Sequence, residues 1–164
     1  MAEMRGLQEL LQNLVELDRS MQTEARAMAN AGAQLVKKEA INIAKAHGLV
    51  DSGALVKNIA VKRETGTPKN IFEYHVGVRH GSESKGAERI AVRGADGKIR
   101  YQWTNNPFYW WFWELGHYNT WSHRFVPAKP FIGPALANTQ EQVIEAMRQR
   151  GADRLEKFTQ KALA

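Results

Sequence analysis

The chain has 164 residues, of which 43% are hydrophobic and 24% charged, and its net charge is +6. That length predicts a single domain over residues 1–164, which can bury about 70% of its unfolded surface. Cysteine is absent, which excludes disulfides, thiol catalysis and cysteine-ligated metals and fits either a reducing cytoplasm or an extracellular particle. No apolar run is long enough to span a membrane, and the opening segment does not resemble a signal peptide.

The first predicted element is a long helix over residues 5–47. Apolar residues recur every seven positions at Leu7, Leu14, Met21, Met28 and Leu35. Such a stripe usually faces a core, and an exposed helix packed on a neighbouring subunit is an alternative. A break near 30–32 is a further alternative, because the unbroken helix would be about 60 Å long.

Two alternating segments follow, at 56–65 and 71–80, and they predict a β-hairpin. Residues 81–100 are rich in glycine and basic side chains, with a turn predicted at 95–98. We expect two further strands and a long mobile loop over residues 81–104. Residues 57–100 carry ten basic and five acidic residues, so most of the excess positive charge lies in this part.

A short helix is predicted at 107–115, where Pro107 suits the start and Gly116 the stop. It is aromatic on nearly all sides, so we expect it to be buried on most faces. Residues 117–131 are predicted as a loop, and a second long helix runs from Pro134, with a stripe at Leu136, Val143, Met147, Leu155 and Phe158. The element order predicts an α+β fold with one mainly antiparallel sheet, a long basic loop and helices against one face.

Val50-Asp51-Ser52-Gly53-Ala54 has the form that retroviral-type aspartic proteases use for their catalytic aspartate. Two such carboxylates must share a proton, so this chain would have to dimerise to supply a second Asp51. Such enzymes also carry a later apolar-apolar-Gly segment, which residues 131–136 superficially resemble, but Pro134 follows Gly133 where the enzymes have a polar residue. The competing interpretation is a turn in which Asp51 and Ser52 accept backbone N–H bonds and Gly53 takes a positive φ.

Glu114, His117 and His123 are three candidate zinc ligands on one short segment, but their spacing matches no helical site. The tryptophan-rich segment could stack on bases, although dense aromatics are more often core or interface. We therefore predict no metal, no cofactor and no enzymatic activity.

Three motifs in order resemble the tailed-phage neck proteins, also described as minor tail or tail-completion proteins, of the Hong Kong 97 gene-product-ten type. Residues 50–59 are similar to the family's Val-Asp-Thr-Gly-x-Leu-x-x-Ser-Ile. Residues 113–116 resemble its Val-Glu-Phe-Gly, and residues 127–136 its Pro-Ala-x-Pro-Phe-Leu-x-Pro-Ala-Leu. The positions that carry the resemblance are Asp51, Ser52, Gly53, Leu55, Ile59, Trp113, Glu114, Gly116, Pro127, Pro130, Phe131 and Pro134.

The resemblance implies a non-enzymatic structural protein of a phage virion, made in the host cytoplasm and placed at the head–tail junction or in tail completion. It implies a ring of six or twelve copies around the channel for double-stranded DNA, next to head-closure, tail-terminator or tail-tube proteins. Asp51-Ser52-Gly53 would then be a helix-to-strand junction, with Leu55 and Ile59 as core anchors.

We predict that the basic loop faces the DNA channel or an acidic neighbouring ring, because a ring multiplies the charge of each copy. Its basic residues are Lys85, Arg89, Arg93, Lys98 and Arg100. Two alternatives stay open: a stand-alone basic DNA-binding protein and, more remotely, a dimeric aspartic protease using Asp51.

Overall fold

The computed structural model describes residues 3–50, 52–68 and 70–163. Its fold is α+β, as the sequence predicts. The elements in chain order are α1 (Glu3–Ala46), α2 (Ala54–Asn58), β1 (Ile59–Arg63), β2 (Tyr74–Val78), a short 3-10 turn (Gly81–Glu83), β3 (Arg89–Arg93), β4 (Ile99–Trp103), α3 (Trp110–Leu115), β5 (His117–Asn119), β6 (Arg124–Val126) and α4 (Ile132–Leu163).

The first helix, α1, is unbroken over 44 residues, so the alternative of a break at 30–32 is wrong. Gly32 is buried where α1 meets α4, and a Cβ on it would lie 2.8 Å from Val143 Cγ1. The glycine therefore allows close approach of two helices instead of ending one. Farther along the same pair, Arg154 Nε lies 3.0 Å from a carboxylate oxygen of Glu24.

Replacing Gly32 with alanine should destabilise the α1–α4 contact by about 1–3 kcal/mol, because the added methyl group overpacks the interface. Gly133→Ala is the matched control, since a Cβ there meets Glu114 only at an ordinary 3.6 Å and alanine favours helix. Urea unfolding of both variants checks this prediction. Equal midpoints for Gly32→Ala and wild type would show that Val143 moves aside at little cost.

The core lies between the second half of α1, the segment α2–β1 and the start of α4. Its buried members are Val36, Ala40, Ala44, Leu49, Leu55, Ile59, Val78, Phe131 and Ala135. Of the predicted α1 stripe, Leu14 and Met21 are exposed and Met28 and Leu35 are half-buried, so the core side of α1 is formed instead by Val36, Ala40 and Ala44. On α4, Val143 and Met147 are half-buried but Leu136 is exposed. The side chains of Leu7, Leu155 and Phe158 lie outside the described part.

Residues 54–58 form the helix α2, which corrects the prediction of a strand beginning at 56. Gly53 has φ +69°, and its carbonyl accepts the Lys57 N–H at 3.1 Å, which closes a helical turn. The four-residue spacing of Leu55 and Ile59 then directs both side chains into the core, where each is 1% exposed.

The predicted hairpin of the next two strands is confirmed. Strands β1 and β2 pair antiparallel, with Ile59 opposite Val78 and Arg63 opposite Tyr74. In the turn between them, the Glu64 carboxylate accepts the N–H groups of Gly66 and Thr65, and these bonds hold the pKa of Glu64 below its ordinary value.

The strands form three separate antiparallel pairs, β1–β2, β3–β4 and β5–β6, instead of the single sheet expected. The turn predicted at 95–98 is present, and the long basic loop is largely the hairpin β3–β4. The segment 117–131, predicted as a loop, contains the short pair β5–β6. Within the described residues, each strand pairs with the strand next to it in the chain and with no other.

Candidate assembly surfaces

The hairpin β3–β4 is joined to the body of the protein by one buried side chain, Asn58. Its Nδ2 donates to the carbonyls of Ala54 at 2.9 Å and Asn105 at 3.0 Å. Its Oδ1 accepts the N–H of Lys85 at 2.6 Å. One amide therefore links α2 to both ends of the hairpin segment. Asn58 occupies the serine position of the family motif, and a serine has too few donors to make all of these bonds.

Two further asparagines close the base of the hairpin. Asn106 Oδ1 accepts the Gly81 N–H at 2.8 Å, and Asn105 Nδ2 donates to the Gly86 carbonyl at 3.0 Å. Asn105 has φ +50°, a backbone conformation that asparagine tolerates better than most residues. Sequence reasoning missed this junction. The Asn-Asn-Pro run at 105–107 marks a turn but does not indicate which groups it binds.

Above this base, the hairpin has two different faces. Residues directly opposite each other in an antiparallel pair share a face. One face, here called the aromatic face, combines Ile99, Tyr101 and Trp103 of β4 with Arg89, Ala91 and Arg93 of β3. The other combines Ile90 and Val92 with Arg100 and Gln102. All ten residues are exposed, although an isolated two-stranded hairpin is marginally stable by itself.

The five basic residues predicted to act together are all exposed but are not gathered on one face. Arg89 and Arg93 lie on the aromatic face, and the Arg89 guanidinium sits 4.4 Å from the Tyr101 ring centroid. Arg100 lies on the opposite face, 2.7 Å from an Asp96 carboxylate oxygen. Lys98 is in the turn, and Lys85 is at the foot of the hairpin. The hairpin thus has cations on both faces and at its tip.

The second and third family motifs meet at Glu114. Its Oε2 accepts the N–H groups of Phe131 at 2.8 Å and Ile132 at 3.2 Å, and its Oε1 accepts that of Gly133 at 3.0 Å. A carboxylate at this place pairs the free N–H groups of the first turn of α4 and complements the helix dipole. Phe131 beside it is fully buried.

Gly116 ends α3 in a backbone conformation that favours glycine, with φ +76°. A Cβ there would lie 3.0 Å from both the Ala128 N atom and the Phe125 ring. Of the motif prolines, Pro127 is exposed, Pro130 is half-buried and Pro134 lies in the first turn of α4. In the first motif, Ser52 Oγ accepts the Ala54 N–H at 3.3 Å, while Asp51 lies outside the described residues.

The candidate zinc ligands serve other purposes. Glu114 is committed to the start of α4, and the His117 ring packs 4.9 Å from the Phe112 centroid. His123 is exposed in a turn. Among the described residues, no group of three or more histidine, aspartate and glutamate side chains is placed to hold a metal ion.

The aromatic helix α3 is not buried on most faces, which corrects the expectation from its composition. None of its residues is buried, and Trp111 and Leu115 are exposed. Exposed apolar side chains continue on both sides of it at Phe108, Tyr118, Trp121 and Phe125. An exposed apolar patch of this kind is typical of a protein–protein interface.

Trp113 is half-buried, packs against the core and has the Lys129 ammonium 5.7 Å from its ring centroid. Trp113→Ala should therefore lower the free energy of unfolding by about 2 kcal/mol, below the 3–5 kcal/mol typical of a fully buried tryptophan. The melting temperature should fall by roughly 4–8 °C, whereas Trp121→Ala, at an almost fully exposed position, is the control and should have little effect. A wild-type melting temperature for Trp113→Ala would assign that ring to an interface instead.

The fold and its surfaces define a class of protein: a small α+β protein with several exposed apolar surfaces and a projecting basic hairpin. The family is shown by sequence comparison. Residues 8–116, more than half of the chain, match the model of the HK97-gp10-like family, described as "Bacteriophage HK97-gp10, putative tail-component". The chain belongs to this family of phage tail components and is a structural protein of the virion, where its partners are other virion proteins.

The matched residues include the first two motifs and end before the third. In the structure, Glu114 of the second motif contacts the third motif through its bond to the Phe131 N–H. No curated protein and no solved structure matches the chain. Within the described residues, no helix has both the length and the apolar character needed to cross a membrane.

Proposed function

We propose that the protein is a neck or tail-completion subunit of a siphovirus-type phage, assembled as a ring of six or twelve copies around the DNA channel. It would act without enzymatic activity, between neighbouring head-closure, tail-terminator or tail-tube proteins. The observation that carries this proposal is the set of exposed apolar surfaces on a chain of the tail-component family. A monomer has no use for these surfaces, whereas a subunit that contacts several neighbours does.

The test is electron microscopy of lysates from a phage deleted for this gene, with and without complementation. Full heads lying apart from finished tails, rejoined on complementation, are the expected result. Normal joined virions without the gene would contradict the proposal.

The basic hairpin would face the channel or an acidic neighbour. Replacing Lys85, Arg89, Arg93, Lys98 and Arg100 together with alanine should reduce infectivity roughly tenfold or more through lost DNA retention or docking. All five side chains are exposed, so the purified variant should keep its fold. A matched control removes five exposed cations elsewhere: Lys38, Lys45, Arg148, Arg150 and Lys157. Wild-type particle yield and infectivity in the hairpin variant would contradict this role.

The excess of positive charge over residues 57–100 also favours a second candidate, a stand-alone DNA-binding protein. Its affinity for free duplex DNA should fall roughly 500-fold between 50 and 200 mM salt if about five phosphates are contacted. Such binding by the isolated monomer, together with normal virions in the deletion, would put this candidate first. A cleavage activity lost in Asp51→Asn would instead indicate the protease, whose fold is almost entirely strands and does not resemble this one.

A further inference from the structure

The first half of α1 carries several large apolar side chains that are more than half exposed. Leu11, Leu14, Val15 and Met21, here called the upstream stripe, are 52–68% exposed. Val15 precedes the buried Ala33 by 18 residues, about five turns, and therefore points to the same side of the helix. The side of α1 that is buried at Ala33 is therefore exposed at Val15.

The upstream stripe lies in an acidic segment. Residues 3–24 contain five acidic and two basic residues, a net charge of −3. Glu16, Asp18 and Arg19 lie within the stripe's own length and are exposed, so residues 11–21 have a net charge of −1. The net negative charge of this segment favours a covering surface that is both apolar and positively charged.

The aromatic face of the hairpin has both properties. Ile99 and Tyr101 are 60% and 63% exposed, and Arg89 and Arg93 flank them on the paired strand. The segment 85–103 contains five basic and two acidic residues, a net charge of +3. Duplex DNA would satisfy the two arginines but leave the apolar side chains exposed to water, so a protein surface fits this face better.

We propose that the aromatic face of one copy packs on the upstream stripe of a second copy. This proposal rests on the proposed function in one respect: both require that copies of the protein assemble with one another. Because the two surfaces are different, the contact is head-to-tail and leaves a free surface of each kind at the ends of a pair. Further copies can therefore add, and the assembly is a ring where the rotation between neighbours closes. Lys98 and Lys85, at the tip and foot of the hairpin, remain outside this contact.

The absence of cysteine makes a direct test available. Val15→Cys and Ala91→Cys place single thiols on the two surfaces with little change in side-chain size. The two variants, one bearing a tag that changes its mass, are mixed and mildly oxidised, and the products are separated without reductant. The expected product is the mixed disulfide dimer. Gln102→Cys on the other face of the hairpin is the control and should give a roughly tenfold lower yield.

Charge reversal provides the second readout. Arg89→Glu with Arg93→Glu should lower the yield of the mixed dimer roughly tenfold, and Glu16→Arg with Asp18→Arg in the other chain should restore it. A dominant Val15–Val15 or Ala91–Ala91 product, no product at all, or no rescue would overturn the proposal. Because purified protein suffices, this outcome is separate from that of the deletion phage. Loss of the cross-link only on adding duplex DNA would show that DNA competes for the aromatic face.

Discussion

Replacing Glu114 with alanine is expected to lower the free energy of unfolding by about 3 kcal/mol. The variant leaves three N–H groups at the start of α4 without their acceptor, and one of them belongs to the fully buried Phe131. An unpaired buried N–H costs about 1–3 kcal/mol, and loss of an anion from a helix N-terminus adds up to about 1 kcal/mol. The melting temperature should fall by roughly 6–12 °C, which calorimetry can measure.

The matched control is Glu141→Ala, which removes an exposed glutamate from α4 and should change stability by less than about 0.5 kcal/mol. Glu114→Gln should fall between the two, because it keeps one acceptor oxygen but loses the charge. If Glu114→Ala unfolds like Glu141→Ala, water replaces the carboxylate at the helix start and the two motifs are held together by packing alone.

Asn58→Ala should cost about 2–4 kcal/mol and free the base of the hairpin. Its three side-chain hydrogen bonds connect α2, Lys85 and Asn105 in a fully buried position, so their loss leaves polar backbone groups without partners. Amide hydrogen exchange should quicken at the N–H groups of Gly81 and Lys85 beyond the change expected from global stability. A loosened hairpin should also weaken assembly if its aromatic face makes the contact proposed above.

Three further variants test which property of the Asn58 side chain causes the loss of stability. Asn42→Ala removes an exposed asparagine from α1 and should be neutral. Asn58→Asp keeps the acceptor for the Lys85 N–H but turns a carboxylate oxygen toward two carbonyl oxygens. It should therefore lower the free energy of unfolding at least as much as Asn58→Ala does. Asn58→Ser, the residue of the family motif, should be intermediate. Unchanged exchange at Lys85 in Asn58→Ala would show that the hairpin is held by its other contacts.

Much of the fold could be predicted from local patterns. The first long helix follows from a seven-residue apolar repeat without proline, the second from an apolar stripe that begins after Pro134, and the β1–β2 hairpin from two segments that alternate apolar and polar residues. The turn before β4 follows from Asp96-Gly97. The family could be recognised because its motifs are short, ordered strings of turn and helix-start residues. These features depend on neighbours within a few positions, which the sequence displays directly.

By itself, then, the sequence determined the α+β class, the two long helices, the first hairpin and the family. Only the tertiary structure decided what the polar motif residues do: Glu114 reaches the start of α4, and Asn58 reaches the two ends of the hairpin segment, 27 and 47 residues further along the chain. It also decided which apolar residues stay exposed, since Val15 and the buried Ala33 look alike in the helical pattern. The physical reason is that a periodic pattern fixes the direction of a side chain, whereas burial depends on whether another element lies in that direction.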